Sequence, residues 1–481
     1  LCQGRPKPAF SGTDYSASFG GYWGFAYRNV RKRRYMRNNI MDDYRVVLQW
    51  MTGRVGRIKA DNLSVVLFCC MVVGYYYFGH LDFIGTLSLG VVSLFALFLI
   101  SCCNSCIRSS GTFPNPHVTI SALLLLVLGL YVLNEAEYEY LLKSIVIPII
   151  TIFAVRGAVK SARQANRALI IIAIIVSISC IVAFLQALDI DYFWNLRMMY
   201  GAPSLGVRQQ LIDKVRAVGL AYYVVPLSYQ ISAIFPFIIY LAYISRARAL
   251  IVILGICIVL GALGAKSLSS FLAILVSYII FIKLNHLLSL KKMFGFIMIL
   301  LFLVIGVSYF NDFASRITEP EFCSVSRIPS TLIGTEILST HPFGVESRDE
   351  LANLVHYYKT DYSILLDGTQ ARTLLRRGFH NCMLTAGITY GWAILIVYIW
   401  LYLYIFWFAY KAMKKSAIGS ADHYFYSGAI AYFCAYIIQS STHSTGLTTG
   451  DPYDWIIIGI ILAYKPSQIS SDECRNSEEK A

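Results

Sequence analysis

Long, uninterrupted apolar runs alternate along this chain with short polar segments, and that alternation predicts the architecture. The runs occupy 63–80, 83–102, 117–134, 141–158, 168–188, 219–244, 249–265, 268–283, 294–310, 384–410, 424–441 and 453–464. Several reach about 18 residues, enough to cross a hydrocarbon core of about 30 Å. A backbone in lipid must satisfy its own N–H and C=O groups, so it crosses as helix or closed barrel. The runs lack the period-two alternation of barrel strands. The expected fold is therefore all-α: a polytopic integral membrane protein of about 12 transmembrane helices. The last run is short and is expected to be partly re-entrant.

The polar segments between the runs divide the chain. Residues 1–62 form a basic N-terminal segment, 63–310 carry helices one to nine, and 311–383 form a large loop. Helices ten to twelve span 384–465, and 466–481 are a polar tail. The large loop exceeds the roughly 15 residues of an ordinary connection. It holds Leu354, Val355, Tyr357, Tyr358, Leu365 and Leu366, so it is expected to be folded and partly helical.

Composition agrees with the membrane reading. Of 481 residues, 57% are hydrophobic and only 14% charged, against about 25% charged in a soluble domain. The net charge of +14 does not indicate a nucleic-acid partner, because much of it sits before the first run, at Arg28, Arg31, Lys32, Arg33, Arg34 and Arg37. Such a cluster holds its end in the cytoplasm and meets anionic lipid head groups. With about 60 residues ahead of the first apolar run, the N-terminal segment is not expected to be a signal peptide.

Charge sets the orientation of the rest. With the N-terminus inside, the inner loops carry Arg108, Arg156, Lys160, Arg163, Arg167, Arg246, Arg248, Lys283, Lys291, Lys292, Lys411, Lys414, Lys415 and Lys465, which satisfies the positive-inside rule. Both termini are then cytoplasmic, and Glu135, Glu137 and Glu139 fall outside. Two long segments, 189–218 and 311–379, also fall outside, yet they contain Arg197, Arg208, Arg216, Arg316, Arg327, Arg348, Arg372, Arg376 and Arg377. Cations placed against the insertion bias suit an anionic ligand on the outer face. Within the runs, Lys143 and Lys266 are the clearest charges, and both can snorkel to a boundary. No carboxylate stands out near the midplane, which argues against an ion-coupled pump.

The twelve cysteines lie mostly within the runs and read as small hydrophobes. Cys102, Cys103 and Cys106 lack the second half of a metal site. Cys323 and Cys382 fall on the outer side, where an oxidising compartment permits a disulfide.

Three segments could carry chemistry. In Arg376-Arg377-Gly378-Phe379-His380-Asn381 a histidine stands at the start of a helix with Arg372, Arg376 and Arg377 close by. A neutral imidazole can take a proton from a hydroxyl while the arginines bind phosphate oxygens; capping of the next helix by His380 and Asn381 is the alternative. The second segment places Arg208, Lys214 and Arg216 before the sixth helix, where a guanidinium fork fits phosphate or a lipid head group. The third is Gly264-Ala-Lys266-Ser267-Leu-Ser-Ser270, whose one charge, Lys266, is a further phosphate partner. Glu346, Glu350, Asp361 and Asp367 are secondary candidates for a general base.

On these residues the chain resembles the O-antigen ligase and polymerase family of bacterial surface-polysaccharide enzymes. His380-Asn381 followed by Gly391, Arg216-Ala-Val-Gly219 entering a helix, and His341-Pro342-Phe343-Gly344 carry the likeness, over about 63–465. Arg208 to Gly219 and Arg376 to Gly387 each give arginine with glycine eleven positions on. Lys266-Ser267 departs from the family's Ser-Arg, keeping the charge and losing the fork. The resemblance implies a GT-C-like inner-membrane glycosyltransferase using a glycan on undecaprenyl diphosphate, without cofactor or metal, inverting, on the periplasmic side. The acceptor would be lipid A core for a ligase, or a second lipid-linked glycan for a polymerase, with a chain-length regulator as a candidate partner. His380 and Arg216 would be catalytic. Arg208, Lys266, Arg372, Arg376, Arg377 and Asn381 would bind substrate. A lipid-linked oligosaccharide flippase or another polysaccharide transporter is the competing expectation, and it would show symmetric halves and a charged central cavity.

Overall fold

The computed structural model describes residues 63–77, 82–84, 87–108, 116–132, 142–199, 205–214, 216–221, 223–287, 327–345, 348–361, 379, 381–443 and 452–465. Helices stand at eleven of the twelve predicted positions, and the ninth, 294–310, lies outside the described residues. In chain order they are α1 (Leu63–Tyr77), α2 (Leu89–Arg108), α3 (Pro116–Val132), α4 (Ile147–Ala158), α5 (Ala162–Ala187), α6 (Asp191–Met199), α7 (Leu205–Ile212) and α8 (Val224–Ile244). Then follow α9 (Arg248–Gly264), α10 (Leu268–Leu284), α11 (Arg327–Thr340), α12 (Arg348–Asp361), α13 (Cys382–Lys415), α14 (Ala421–Thr442) and α15 (Pro452–Ala463). The second apolar run differs from expectation at its start. Strands β1 (Asp82–Ile84) and β2 (Leu87–Ser88) pair antiparallel there, and the helix begins only at Leu89.

Among the described residues three helices, Ala162–Ala187, Val224–Ile244 and Cys382–Lys415, are long and apolar enough to cross a membrane, and the other apolar helices there are shorter. Their boundaries have local causes. Ser161 accepts a hydrogen bond from Gln164 N at 3.3 Å while Gln164 Oε1 accepts from Lys160 N at 2.7 Å. Ser161 thus caps α5, and the Gln164 side chain reaches one residue past the usual capping-box donor to the N–H that precedes the cap. Ser267 and Ser420 cap α10 and α14 in the ordinary way, each accepting from the N–H three residues on. The exception is α13, which Gly391 breaks at φ 82° and ψ 174°.

Helix α8 is the centre of the bundle, with every residue from Pro226 to Leu241 buried. Around it pack α5, α9, α10, α14 and α15. Apolar side chains also face outward, among them Leu123, Val127, Ile253, Ile256, Ile396, Trp400 and Leu403. So large an apolar exterior is unfavourable in water.

Cross-bundle contacts fix which helix ends lie together. At one end Tyr240 donates to Asn166 at 2.7 Å, Tyr464 donates to Asp422 at 2.7 Å, and His423 meets the carbonyls of Met413 and Leu284 at 3.2 and 3.4 Å. This end brings together the start of α5, the ends of α8, α10, α13 and α15, and the start of α14. Arg163, Arg167, Arg246, Arg248, Lys283, Lys411, Lys414, Lys415 and Lys465 belong to these helix ends and are exposed.

Candidate functional site

The opposite end holds every described residue of the expected site. The helix polarity just given brings the end of α5, the starts of α8 and α10, and the end of α14 to this face; the start of α13, set back by the break at Gly391, is tied to it through Tyr436. Side-chain contacts join them. Ser228 of α8 donates to Ser267 at 2.8 Å, and Ser269 of α10 meets His443 Nε2, just beyond α14, at 3.1 Å. The Tyr229 ring lies 6.0 Å from that of His443 and 6.2 Å from that of Tyr436. Tyr436 in turn meets Cys382 Sγ at 3.5 Å at the start of α13.

Arg216 enters this face on a turn built by α5. The Gln186 amide, buried in the last turn of α5, accepts from Val218 N at 3.0 Å and Gly219 N at 2.9 Å and donates to Gly219 O at 3.3 Å. Ser179 accepts from Leu220 N at 2.9 Å. Gly219, at φ 62°, lies against Ser179 so closely that a Cβ would collide with its carbonyl. Glycine is required there by both conformation and space. Arg216 itself is half-buried beside this turn.

Lys266 comes from the same region. Its turn closes α9 through Ala265 N to Gly261 O at 2.9 Å and Lys266 N to Leu263 O at 2.9 Å. Gly264 lies so near α5 that a Cβ would stand 2.6 Å from Ala183 O. Lys266 is half-buried and left-handed at φ 48°. The Arg216 turn and the Lys266 turn thus both rest on the last three turns of α5. The adjacent Ser267 links to Ser228, Ser269 and Ser270.

Asn381 takes the helix-capping role weighed from sequence. Its Oδ1 accepts from Met383 N and Leu384 N, both at 3.0 Å. His380, Arg372, Arg376 and Arg377 lie outside the described residues. Phe379 is buried under α11 with Ile333, Ile337, Leu338 and Leu384. Cys382 is a free, buried thiol, and Cys323, its suggested disulfide partner, lies outside the described residues.

The His341–Gly344 motif of the large loop meets Gly391 of α13. Trp392 N donates to Pro342 O at 2.8 Å and Val345 N to Ile388 O at 2.9 Å, so His341–Gly344 docks on the break in α13. A Cβ on Gly391 would stand 2.6 Å from the Phe343 carbonyl carbon. His341 Nε2 lies 3.9 Å from Glu350 of α12. Among its described residues the loop is helical in α11 and α12, in line with the expected partial helicity.

Several expected anion-binding cations have other partners. Arg197 is fully buried and its Nε donates to Ala221 O at 2.7 Å, bracing the turn that carries Arg216. Lys214 binds Asp189 at 2.7 Å and Asp191 at 2.6 Å, and these hydrogen bonds, Asp189 foremost, hold its ammonium above the ordinary value. Arg208 is exposed on α7.

Carboxylates are also present inside the bundle, contrary to expectation: Asp454 and Asp422 are both buried. Asp454 was hidden from sequence reasoning because it opens the apolar run at 453–464. Gln186 and His443 were missed for a different reason. Their partners lie 33 and 174 residues away, beyond any local pattern.

No protein-family model matches the chain, and no curated protein matches it.

Proposed function

We propose that this protein is a membrane-embedded glycosyltransferase that transfers or polymerises a glycan carried on undecaprenyl diphosphate, on the periplasmic side of the bacterial inner membrane. The observation that carries the reading is the meeting of three helix N-termini, those of α8, α10 and α13, at one end of the bundle beside Arg216 and Lys266. Each helix start presents about half a positive charge, which favours an anion. Together with two half-buried cations they suit a diphosphate. In this reading about twelve spans cross the membrane. The basic end described above faces the cytoplasm, and the loop at 311–383 lies outside.

The diphosphate is the leaving group. An acceptor hydroxyl attacks the anomeric carbon, a new glycosidic bond forms, and the bond from that carbon to the diphosphate oxygen breaks with inversion. Arg216 and Lys266 stabilise the charge that grows on the departing phosphate, where a preorganised donor is worth about 10²–10³ in rate. The hydroxyl proton passes to a base, for which His380 is the assigned group. The acceptor is lipid A core or a second lipid-linked glycan; polymerisation is preferred here.

One observation favours the competing transporter reading, namely the buried carboxylate Asp454. Polysaccharide gels separate the two. Arg216→Ala and His380→Ala, at normal membrane levels, should each abolish the ladder of surface polysaccharide. A single repeat left on lipid A indicates a polymerase, and naked core with polymer held on the carrier indicates a ligase. An unchanged ladder in both variants rejects the assignment of these residues. Unpolymerised lipid-linked repeats trapped on the cytoplasmic face would favour the transporter.

A further inference from the structure

The described part of the large loop carries a polar cluster that the chemistry above leaves unused. Its anchor is the turn at His341–Gly344, whose backbone neighbours bond α13 at Trp392 N and Ile388 O. That turn fixes His341. Its Nδ1 stands 2.9 Å from Thr340 Oγ1 and 3.3 Å from Ile337 O. Thr340 Oγ1 lies in turn 3.4 Å from the Tyr358 hydroxyl of α12. His341 Nε2 faces Glu350 of the same helix at 3.9 Å. Glu350, Leu354 and Tyr358 follow one another at four-residue spacing, so they share one face of α12. The Tyr357 ring meets that of Tyr358 edge-on at 5.2 Å and is 68% exposed.

Donors and acceptors in this cluster are unevenly matched. A carbonyl only accepts, so in the contact with Ile337 O the imidazole Nδ1 carries the proton. In the neutral ring Nε2 is then an acceptor, and it looks at a second acceptor, the Glu350 carboxylate. The two do not bond each other, and a ligand offering two neighbouring donors bonds both. Adjacent hydroxyls of a sugar ring are such a pair, and Thr340 and Tyr358 place two more hydroxyls beside them. The carboxylate repels a phosphate, which sets this cluster apart from the cationic end of the bundle. Tyr357 adds an exposed aromatic face, suited to the apolar C–H side of a sugar ring. Tyrosine also gives such contact area at small cost in conformational entropy.

We propose that Thr340, His341, Glu350, Tyr357 and Tyr358 form a subsite for a neutral sugar of the glycan, held away from its diphosphate. The inference rests on the glycosyltransferase reading and names where the sugar part of its substrate is gripped. The segment of α13 from Asn381 to Gly391 joins the two places. Its start is tied to the cationic face through Tyr436, and its end receives the His341 turn. At 1.5 Å per residue that segment is about 15 Å long, the reach of a short oligosaccharide. The subsite orients the glycan and takes no part in making or breaking bonds.

The test is binding of phosphate-free oligosaccharide, released by mild acid from the native strain's surface polysaccharide, to the full chain in lipid nanodiscs. Saturation-transfer NMR follows the titration. Glu350→Gln and Tyr357→Ala, both at solvent-exposed positions, should each weaken binding about tenfold. Arg216→Ala should leave it unchanged, because the probe has no phosphate. In the native strain the same two loop variants should shorten the polysaccharide ladder without abolishing it. A wild-type protein that does not bind the oligosaccharide would overturn the subsite, and so would equal binding by wild type and both loop variants. Equal loss in Arg216→Ala would put the sugar at the cationic face and likewise reject it. The glycosyltransferase reading fails by a different result, an unchanged ladder in Arg216→Ala and His380→Ala.

Discussion

The two ends of the bundle use positive charge in different ways. At one end nine lysines and arginines stand exposed on helix termini, some lying over aromatic rings, as Lys411 lies 5.1 Å from the Trp407 centroid. At the other, Arg197 is fully buried and spent on a backbone carbonyl, Lys214 is paired with two aspartates, and Arg216 and Lys266 are half-buried on turns that α5 holds in place. Exposed cations need no exact position, since they act on a membrane surface through their charge alone. Cations held on fixed turns are suited to a defined ligand. The difference says that only at the second end are cations themselves held by a built geometry.

That contrast can be broken by substitution. The largest effect is expected from Gly219→Ala, where a left-handed residue would be forced against the Ser179 carbonyl. A loss of about 3 kcal/mol or more is expected from strain and overpacking together, read as a fall in melting temperature in detergent. Gln186→Leu should come next. It strips acceptors from Val218 N and Gly219 N, and each buried N–H left unmet costs about 1–3 kcal/mol. Arg197→Met should lower stability by about 1–3 kcal/mol through Ala221 O, whereas Arg163→Met at the exposed end should stay within about 0.5 kcal/mol. Equal effects of these two arginine substitutions would remove the contrast.

Lys214→Met should have the smallest effect. A lysine whose value is raised by folding stabilises while protonated. Its contribution is full below the ordinary value of about 10.4 and fades as pH climbs through the raised one. The small difference in melting temperature between wild type and Lys214→Met should therefore persist at neutral pH and fade in strong alkali.

The helices were legible because burial in an apolar setting needs long apolar runs, and such runs survive any choice of neighbour. The gathering of nine lysines and arginines at one end of the bundle was legible from their places between the runs. The docking of His341–Gly344 on Gly391 was not, although both motifs stood out singly, because nothing local records that two backbones approach each other. Asn381 could be assigned as a helix cap from its position, and the structure gives it that bond. Arg197 and Arg216 looked alike in sequence as cations in an outer segment. Only the turn that one braces and the other crowns separates them. Asp454 escaped notice because one carboxylate barely disturbs the apolarity of its run.

The break at Gly391 has a consequence for biosynthesis. Helix α11 and the turn at His341–Gly344 leave the ribosome before the part of α13 that receives them. Ile333, Ile337 and Leu338 therefore lack their α13 neighbours Leu384, Ile388 and Leu395 until about 50 further residues have been made. During that interval the apolar face of α11 lacks the cover that α13 gives it. Arrest of synthesis short of Gly391 should leave α11 open to protease, and extension beyond Trp392 should close it.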